Sequence, residues 1–253
     1  MTVTPSTVDS VRRCSLRWLL ERHGGGTTPT PEQGIGNLVH AAAMLATDAT
    51  VDRASLVSYV AERFDAIELS ARWLAGRERD RAEAMLDRLI GWIAKNPRRL
   101  IAIEQDFIVR LQDPEAPVDI KGRVDRLEID EQGRLVVIDL KTGKSAPINA
   151  DVVEHPQLAA YQAAVEAGAF EESSQTGGAA LVQLGIDGLG AREQVQDPPS
   201  TSDDPQWAVD LVKGAARAMA ASTFEAVANN RCRMCPVRTS CPVQGSGRQV
   251  TDP

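Results

Sequence analysis

The sequence GRVDRLEIDEQGRLVVIDLK, residues 122–141, decides the fold of this chain. Two runs of recurring apolar residues flank the polar segment DEQG at residues 130–133, a pattern that predicts a β-hairpin. We predict a three-residue loop, residues 131–133, in which Gly133 supplies the left-handed conformation that closes the turn. The stretch therefore predicts two antiparallel strands that are neighbours in a sheet.

The loop determines which residues of the two strands face each other. If it pairs Asp130 with Arg134, the same register sets Asp125 opposite Asp139. Their Cβ atoms are then expected ~5 Å apart. Lys141 shares their face, because side chains two positions apart on a strand point to the same side.

Two carboxylates at this distance repel each other unless a positive charge lies between them. A divalent cation held by oxygen ligands meets that need, with the ammonium of Lys141 as a second positive group. The alternative is a surface hairpin with solvated charges. Against it, Asp139 ends the apolar run LVVI, residues 135–138, which is typical of a buried strand.

The spacing Asp125-x13-Asp139-x-Lys141 resembles that of the PD-(D/E)XK nuclease superfamily. The context GRVDRLE…VVIDLKTGK resembles its RecB-like branch, which includes the nuclease domains of AddAB- and AdnAB-type helicase–nucleases and the CRISPR-associated RecB-like exonucleases. The resemblance implies an α/β fold with a restriction-endonuclease-like core. In that core, helices flank a central mixed sheet.

A predicted helix at residues 35–46 carries Gly36 and His40. On residue chemistry alone, His40 is either a packed core residue or a metal ligand. RecB-like nucleases have a Gly-x-x-x-His helix ahead of the hairpin, and the resemblance implies that His40 is a ligand. The implied set for Mg²⁺ or Mn²⁺ is His40, Asp125, Asp139 and the carbonyl of Leu140.

Three further residues acquire roles through the resemblance. Glu104, in a predicted strand at residues 100–111, is either an exposed glutamate or a support for the metal site. Gln157 and Tyr161 share a face of a helix predicted at residues 156–168. They are either an ordinary polar edge or the Gln-x-x-x-Tyr motif that contacts substrate in RecB-like nucleases.

Four cysteines form a separate pattern. Cys232, Cys235 and Cys241 have the spacing C-x2-C-x5-C, and Cys14 is the only other cysteine. Four thiolates suit zinc or an iron–sulfur cluster, and spacing alone does not decide between them. The layout is similar to the iron–sulfur staple of AddB-type and CRISPR-associated RecB-like nucleases, which implies a structural [4Fe–4S] cluster. The alternatives are zinc and four unrelated buried thiols.

Composition limits the class of protein. The chain has 253 residues, 43% of them hydrophobic, and a net charge of −7, which is not that of a non-specific nucleic-acid binder. No apolar run reaches the length of a membrane span and no signal-peptide core is present, so we expect a cytoplasmic protein without a membrane partner. Arginines near both ends would form a local positive surface if the ends meet: Arg12, Arg13, Arg17, Arg22, Arg231, Arg233, Arg238 and Arg248.

The remaining segments complete the expected architecture. They predict helices at residues 6–23 with Ser6 as N-cap, 51–95 with a break at Ala75-Gly76, and 207–229, a buried strand at 178–186, and a loop at 188–206. We expect one nuclease domain made of four segments. These are the N-terminal staple helix (1–34), a helical region with the metal-ligand histidine (35–99), the core (100–200), and the last helix with the cysteines (201–253).

The expected function follows from the resemblance. It implies a metal-dependent DNA nuclease, acting as an exonuclease with single-stranded DNA favoured, in DNA end processing or double-strand break repair. Because the chain has no G-x-x-x-x-G-K-[ST] loop, unwinding would need a helicase domain or a second helicase–nuclease subunit. The alternatives are a non-cleaving module of nuclease fold that binds DNA or a partner, and a zinc-stapled structural subunit.

Overall fold

The predicted hairpin is present and lies inside the sheet. In a computed structural model that describes residues 1–25, 30–48, 50–67, 72–113, 116–245 and 247, strands β3 (Val118–Ile129) and β4 (Leu135–Lys141) are antiparallel. Gly133 has a φ of 77°, and the Asp130 amide donates to the Arg134 carbonyl at 3.0 Å. The pairs Leu127–Val137 and Ile129–Leu135 confirm the predicted register. Arg248 lies outside the described residues.

Six strands form one mixed sheet. Besides β3 and β4 they are β1 (Thr2–Val3), β2 (Arg99–Leu111), β5 (Thr176–Gln183) and β6 (Arg192–Gln196). The order is β1-β3-β4-β5-β6, with β2 on the other edge of β3. The β1–β3 and β4–β5 pairs are parallel, and the other three pairs are antiparallel.

Helices cover both faces of this sheet. They are α1 (Pro5–Arg13), α2 (Ser15–Leu20), α3 (Pro31–Ala43), α4 (Arg53–Phe64), α5 (Ala75–Ile93), α6 (Asn149–Val152), α7 (Pro156–Glu166) and α8 (Trp207–Ala220). None of the helices in the described ranges combines the length and the apolar character that crossing a membrane requires. The α/β class with a central mixed sheet flanked by helices is thereby confirmed.

Two hydrophobic cores separate the layers. On one face, α1, α7 and α8 pack on residues such as Leu127, Val137 and Leu181. On the other face, α3, α4 and α5 pack on residues such as Ile138 and Val182. Since alternate residues of β4 point to opposite faces, Asp139 and Lys141 belong to the face of α7.

The predicted N-terminal helix at residues 6–23 is wrong as one continuous helix. Thr4, and not Ser6, caps α1, because the Thr4 hydroxyl accepts from the Thr7 amide at 3.1 Å. The helix breaks at Cys14, whose φ of −170° and ψ of 104° are extended. The break separates α1 from α2 and directs the backbone around the cysteine.

Other boundaries also differ from the predictions. The second helix begins earlier, at Pro31, where Thr30 and Gln33 form a capping box that the apolar pattern does not reveal. The region 51–95 does form two helices, but the break lies before Ala75-Gly76, because α4 ends at Phe64 and α5 begins at Ala75. The predicted loop at 188–206 contains β6, an edge strand held through pairing with β5.

The last helix ends at Ala220 and does not extend to residue 229. The chain after it makes tertiary contacts that replace helical hydrogen bonds. The Glu225 amide donates to the Ser15 hydroxyl at 2.8 Å, and the Glu225 carbonyl accepts from the Leu16 amide at 3.1 Å. The rings of Trp18 and Phe224 lie 6.2 Å apart between centroids.

Candidate metal centre and cysteine pocket

Asp125 and Asp139 lie where β3 and β4 cease to pair. The ladder ends at Arg126 and Ile138, one step before the two aspartates. Beyond that point Asp125 Oδ2 accepts a hydrogen bond from the backbone amide of Leu140 at 2.7 Å. The carboxylate of Asp125 therefore accepts the hydrogen bond that a backbone carbonyl of β3 would accept if the ladder continued. Side chains from other elements approach Asp125 at this end of the ladder.

Glu104 on β2 approaches Asp125 through irregularities in both strands. The register in which Gln105 pairs with Val124 sets Glu104 opposite Asp125. Glu104 has a φ of 51°, a left-handed conformation that costs about 1–3 kcal/mol in a residue with a Cβ atom. Val124 and Leu127 enter the same core although they are three positions apart, so the alternation of β3 is interrupted here as well. Strain of this kind concentrates at functional sites.

His40 reaches this point from α3. Its Nδ1 atom lies 3.6 Å from Asp125 Oδ1. One possible ligand atom from each of His40, Glu104 and Asp125 lies within 4.8 Å of the other two. Among the described residues, this is the one group of three or more His, Cys, Asp or Glu side chains that meets this distance limit. Two carboxylates and an imidazole, mostly oxygen donors, fit Mg²⁺ or Mn²⁺.

Gly36 allows α3 to come this close. A Cβ atom at position 36 would lie 2.7 Å from Thr142 Oγ1, on the loop that follows Lys141. Because a contact under 3.0 Å is too short for a Cβ atom, a side chain at position 36 must displace the Thr142 side chain or α3 itself. His40 lies one turn further along the same helix and would move with it.

We expect Gly36→Ala to destabilise the fold by about 1–3 kcal/mol and to weaken Mn²⁺ binding severalfold, because overpacking displaces α3. Urea unfolding and calorimetric titration with Mn²⁺ measure the two effects. Gly91→Ala is the matched control: position 91 of α5 has nothing within 4 Å, so alanine there should stabilise by up to ~1 kcal/mol. Adding Thr142→Ala to the first variant should restore both quantities, and failure to do so would contradict the steric explanation.

Asp139, Lys141 and Gln157 form a second group beside the first. Asp139 is 4% exposed, and its Oδ2 atom lies 2.5 Å from Lys141 Nζ. Gln157 on α7 joins the two, since its Nε2 donates to Asp139 Oδ1 at 2.7 Å and its Oε1 accepts from Lys141 Nζ at 2.8 Å. Gln157 therefore bridges the carboxylate of Asp139 and the ammonium of Lys141.

Tyr161, one turn after Gln157, is buried behind this group. Its hydroxyl donates to the Arg123 carbonyl at 3.2 Å, and its ring packs against Phe107. Burial, followed by the charges of Asp139 and Asp125, raises the pKa of Tyr161 well above its ordinary value. The hydroxyl therefore stays protonated and acts as a hydrogen-bond donor.

The electrostatics of the centre favour an added positive charge. Burial, followed by repulsion from Asp139, raises the pKa of Asp125 to about 8. Burial also lowers the pKa of His40, although Asp139 and Glu104 oppose that effect. A neutral imidazole is the form that binds a metal, and a cation would relieve the repulsion between the carboxylates.

The residues predicted for this site lie in two adjoining groups, and the compact set of possible ligands differs from the predicted set of His40, Asp125, Asp139 and the Leu140 carbonyl. Glu104 joins His40 and Asp125 directly, while Asp139 is engaged with Lys141 and Gln157. Sequence reasoning passed over α5, in which Arg81 Nη2 donates to the Thr142 carbonyl at 2.5 Å and fixes the loop after Lys141. Arg81 lies in the charged run RERDRAE, where periodicity does not distinguish it from its neighbours.

The four cysteines line one pocket between the two ends of the chain. They are Cys14, Cys232, Cys235 and Cys241, and none of them forms a disulfide. The extended backbone at Cys14 turns its side chain toward the C-terminal segment, and the Asn229 amide donates to Cys232 Sγ at 3.2 Å. The ends of the chain therefore meet at the thiols, as a shared metal site requires.

Arginines from both ends gather at this pocket. Arg17 and Arg231 line it. Burial, followed by the nearby charge of Arg13 and then that of Arg17, lowers the pKa of Arg231. Arg13 pairs with Asp9 at 2.8 Å, and Arg17 pairs with Glu21 at 2.7 Å. Three of the arginines expected to form a local positive surface therefore lie together around the cysteines, but Arg13 and Arg17 are paired with carboxylates.

A comparison with protein families gives a match over most of the chain. A family model described as the PD-(D/E)XK nuclease superfamily matches residues 2–242. Among curated proteins, none gives a match. A solved structure described as "Crystal structure of SSO0001" is similar with a TM-score of 0.46 at 15% sequence identity, covering 96% of this chain and 86% of that one.

Proposed function

The chain belongs to the PD-(D/E)XK nuclease superfamily, and we propose that it is a RecB-like exonuclease that degrades single-stranded DNA during the processing of DNA ends. Nucleases of this superfamily use divalent metal ions. The proposal rests above all on one observation, the convergence of His40, Glu104 and Asp125 from three different elements beside the Asp139–Lys141 pair.

In this proposal His40, Glu104 and Asp125 hold Mg²⁺ or Mn²⁺, with Asp139 and the Leu140 carbonyl completing the set. The bound ion supplies Lewis-acid polarisation of the scissile phosphate and makes a water molecule more acidic. Lys141 stabilises the negative charge that develops on the phosphate and positions the attacking water. The products are a 5′-phosphate and a 3′-hydroxyl.

Gln157 has a positioning role in the same proposal. Its two hydrogen bonds hold Asp139 and Lys141 in a fixed relation, so that the ammonium faces the reacting phosphate in one orientation. Tyr161, buried against Arg123 and Phe107, supports α7 at that distance. Substrate contact by Gln157 requires only that its amide exchange one of these partners for a phosphate oxygen.

We favour a [4Fe–4S] cluster over zinc at the cysteines. All four thiols line one pocket, which is the number of ligands that either centre requires. The preference rests on the layout of Cys14 with C-x2-C-x5-C, which is similar to the iron–sulfur staple of AddB-type and CRISPR-associated RecB-like nucleases.

Timed digestion of single strands labelled at either end, and of the matching duplex, tests the activity with Mg²⁺ and Mn²⁺ in parallel. We expect mononucleotides or short products to leave one end of the single strand first, and slow or absent digestion of the duplex without a helicase. Internal cutting from the earliest times would overturn the exonuclease assignment. Binding without cutting in both metals would support the alternative, a non-cleaving DNA-binding module.

We expect stabilisation by Mn²⁺ to increase with pH between about pH 5 and 8. The folded-state pKa of Asp125 is raised to about 8, so the stability contributed by its neutral carboxyl is lost as the pH rises from the unfolded pKa of about 4 toward 8. A bound cation offsets that loss, because it stabilises the carboxylate. Thermal unfolding with Mn²⁺ or EDTA across this range measures the difference.

The control for this pH dependence is Glu166→Gln. Burial raises the pKa of Glu166 too, but Glu166 is not among the residues of the metal set, so its replacement should leave the Mn²⁺ effect intact. Asp125→Asn should remove the effect. An equal response to Mn²⁺ at every pH in the unsubstituted protein would contradict the link between Asp125 and the cation.

A further inference from the structure

The cysteine pocket contains two guanidinium groups as well as four thiols. Arg17 and Arg231 line it together with the cysteines. The remaining residues that line it are uncharged, and among the described residues no Asp or Glu does so; they are Leu16, Leu20, Val227, Asn229, Val237 and Gln244. The charge of the pocket is therefore decided by its arginines and by the state of its thiols.

The two arginines differ in their partners. Arg17 Nε donates to Glu21 Oε1 at 2.7 Å, so part of its charge is already compensated. Arg231 has no ion pair with a carboxylate in the part of the chain that the structure describes. Arg231 is an exposed residue, and the charges that act on it are those of Arg13 and Arg17, which lower its pKa, and of Asp9, which opposes them. No carboxylate holds the Arg231 guanidinium in an ion pair among the described residues, so it can face a further anion in the pocket that it lines.

A metal–thiolate centre is such an anion. Four thiolates carry four negative charges, and either a zinc ion or an oxidised [4Fe–4S] core carries two positive ones, which leaves a dianion. In a pocket with mostly apolar walls, that charge requires compensation from nearby groups. Arg231 supplies most of it, and Arg17 adds the part of its charge that Glu21 leaves uncompensated.

We propose that Arg231, assisted by Arg17, is the counter-ion of an anionic metal–thiolate centre, which it retains in the pocket and makes easier to reduce. This inference rests on the cysteine metal site of the proposed function. One-electron reduction of a [4Fe–4S] cluster by an added reductant such as dithionite adds one negative charge to the centre. A neighbouring cation favours the reduced form and raises the reduction potential.

The test compares Arg231→Gln, Arg231→Lys and Arg233→Gln in the whole protein. Arg233 is an exposed arginine two positions away that does not line the pocket, which makes it the matched control. We expect Arg231→Gln to release metal to a chelator severalfold faster than the unsubstituted protein and to shift its reduction potential to a more negative value. Arg231→Lys should retain most of both properties, and Arg233→Gln should change neither.

Each other outcome overturns the inference in a distinguishable way. Equal release rates and equal potentials for Arg231→Gln and Arg233→Gln would overturn it while leaving the metal site standing. Unchanged metal retention with weaker, less salt-dependent binding of oligo(dT) would assign Arg231 to DNA phosphates instead. A protein that holds no metal at its cysteines would remove the cysteine site and the inference together, and the digestion assay would still decide the nuclease activity.

Discussion

Alanine in place of Asp139, or of Lys141, is expected to abolish metal-dependent cleavage of DNA without unfolding the protein. Asp139 belongs to the proposed metal set, and in the same proposal Lys141, whose Nζ atom lies 2.5 Å from Asp139 Oδ2, stabilises the charge on the phosphate. Removing one such preorganised charge typically lowers the rate by about 100-fold or more. The fold should tolerate Asp139→Ala because the change removes a charge that repels Asp125.

The measurement is digestion of labelled single strands by purified variants whose thermal unfolding has been compared with the unsubstituted protein. Lys144→Ala is the matched control, since Lys144 is an exposed lysine on the following loop that contacts Glu32 and Glu78. Gln157→Ala removes two hydrogen bonds but no charge, so it should keep partial activity. Full Mg²⁺-dependent activity in Asp139→Ala would refute the proposed role of Asp139.

The hairpin could be predicted in detail because its determinants are local. A period of two and a single glycine specify the turn, and the turn fixes the register over the whole ladder. Asp139 and Lys141 therefore share a face in the structure as they do in the prediction. The family resemblance then connected these positions with His40 and with Gln157, which are distant in sequence.

The conformation of Glu104 could not be predicted in the same way. Its left-handed backbone and the interrupted alternation of β3 depend on how β2, β3 and α3 fit together, and no local pattern encodes that fit. A regular strand assigns Glu104 only to a face. The structure instead brings its carboxylate to His40 and Asp125. From the sequence, Glu104 was either an exposed glutamate or a support for the metal site.

The two ends of the chain illustrate a different limit. Periodicity favours continuous helices through Cys14 and beyond Ala220, yet both helices end where tertiary contacts become available. The contacts between Ser15 and Glu225 close that junction. Cysteine chemistry, and not periodicity, was the signal that the ends meet, because three thiols near one end needed a fourth from elsewhere.

Replacing Cys235 by alanine is expected to remove the brown colour of a [4Fe–4S] cluster and to lower thermal stability. A centre that binds Cys14 and Cys232 closes a loop of 218 residues, and cross-links of such length restrict the unfolded chain by roughly 2–5 kcal/mol. Loss of one thiolate leaves three ligands, which hold a cluster poorly. The hydrogen bonds of Glu225 to Ser15 remain, so the nuclease core should still fold.

Iron and zinc analysis, the visible absorption spectrum and thermal unfolding measure this prediction. Met234→Ala is the control, because Met234 is an adjacent and highly exposed side chain that does not line the pocket. Zinc without iron in the unsubstituted protein would exclude the cluster and leave the nuclease assignment unaffected, since the cysteines and the Asp125 centre are separate groups of ligands. Stability equal to that of Met234→Ala would mean that the thiols do not hold the two ends of the chain together.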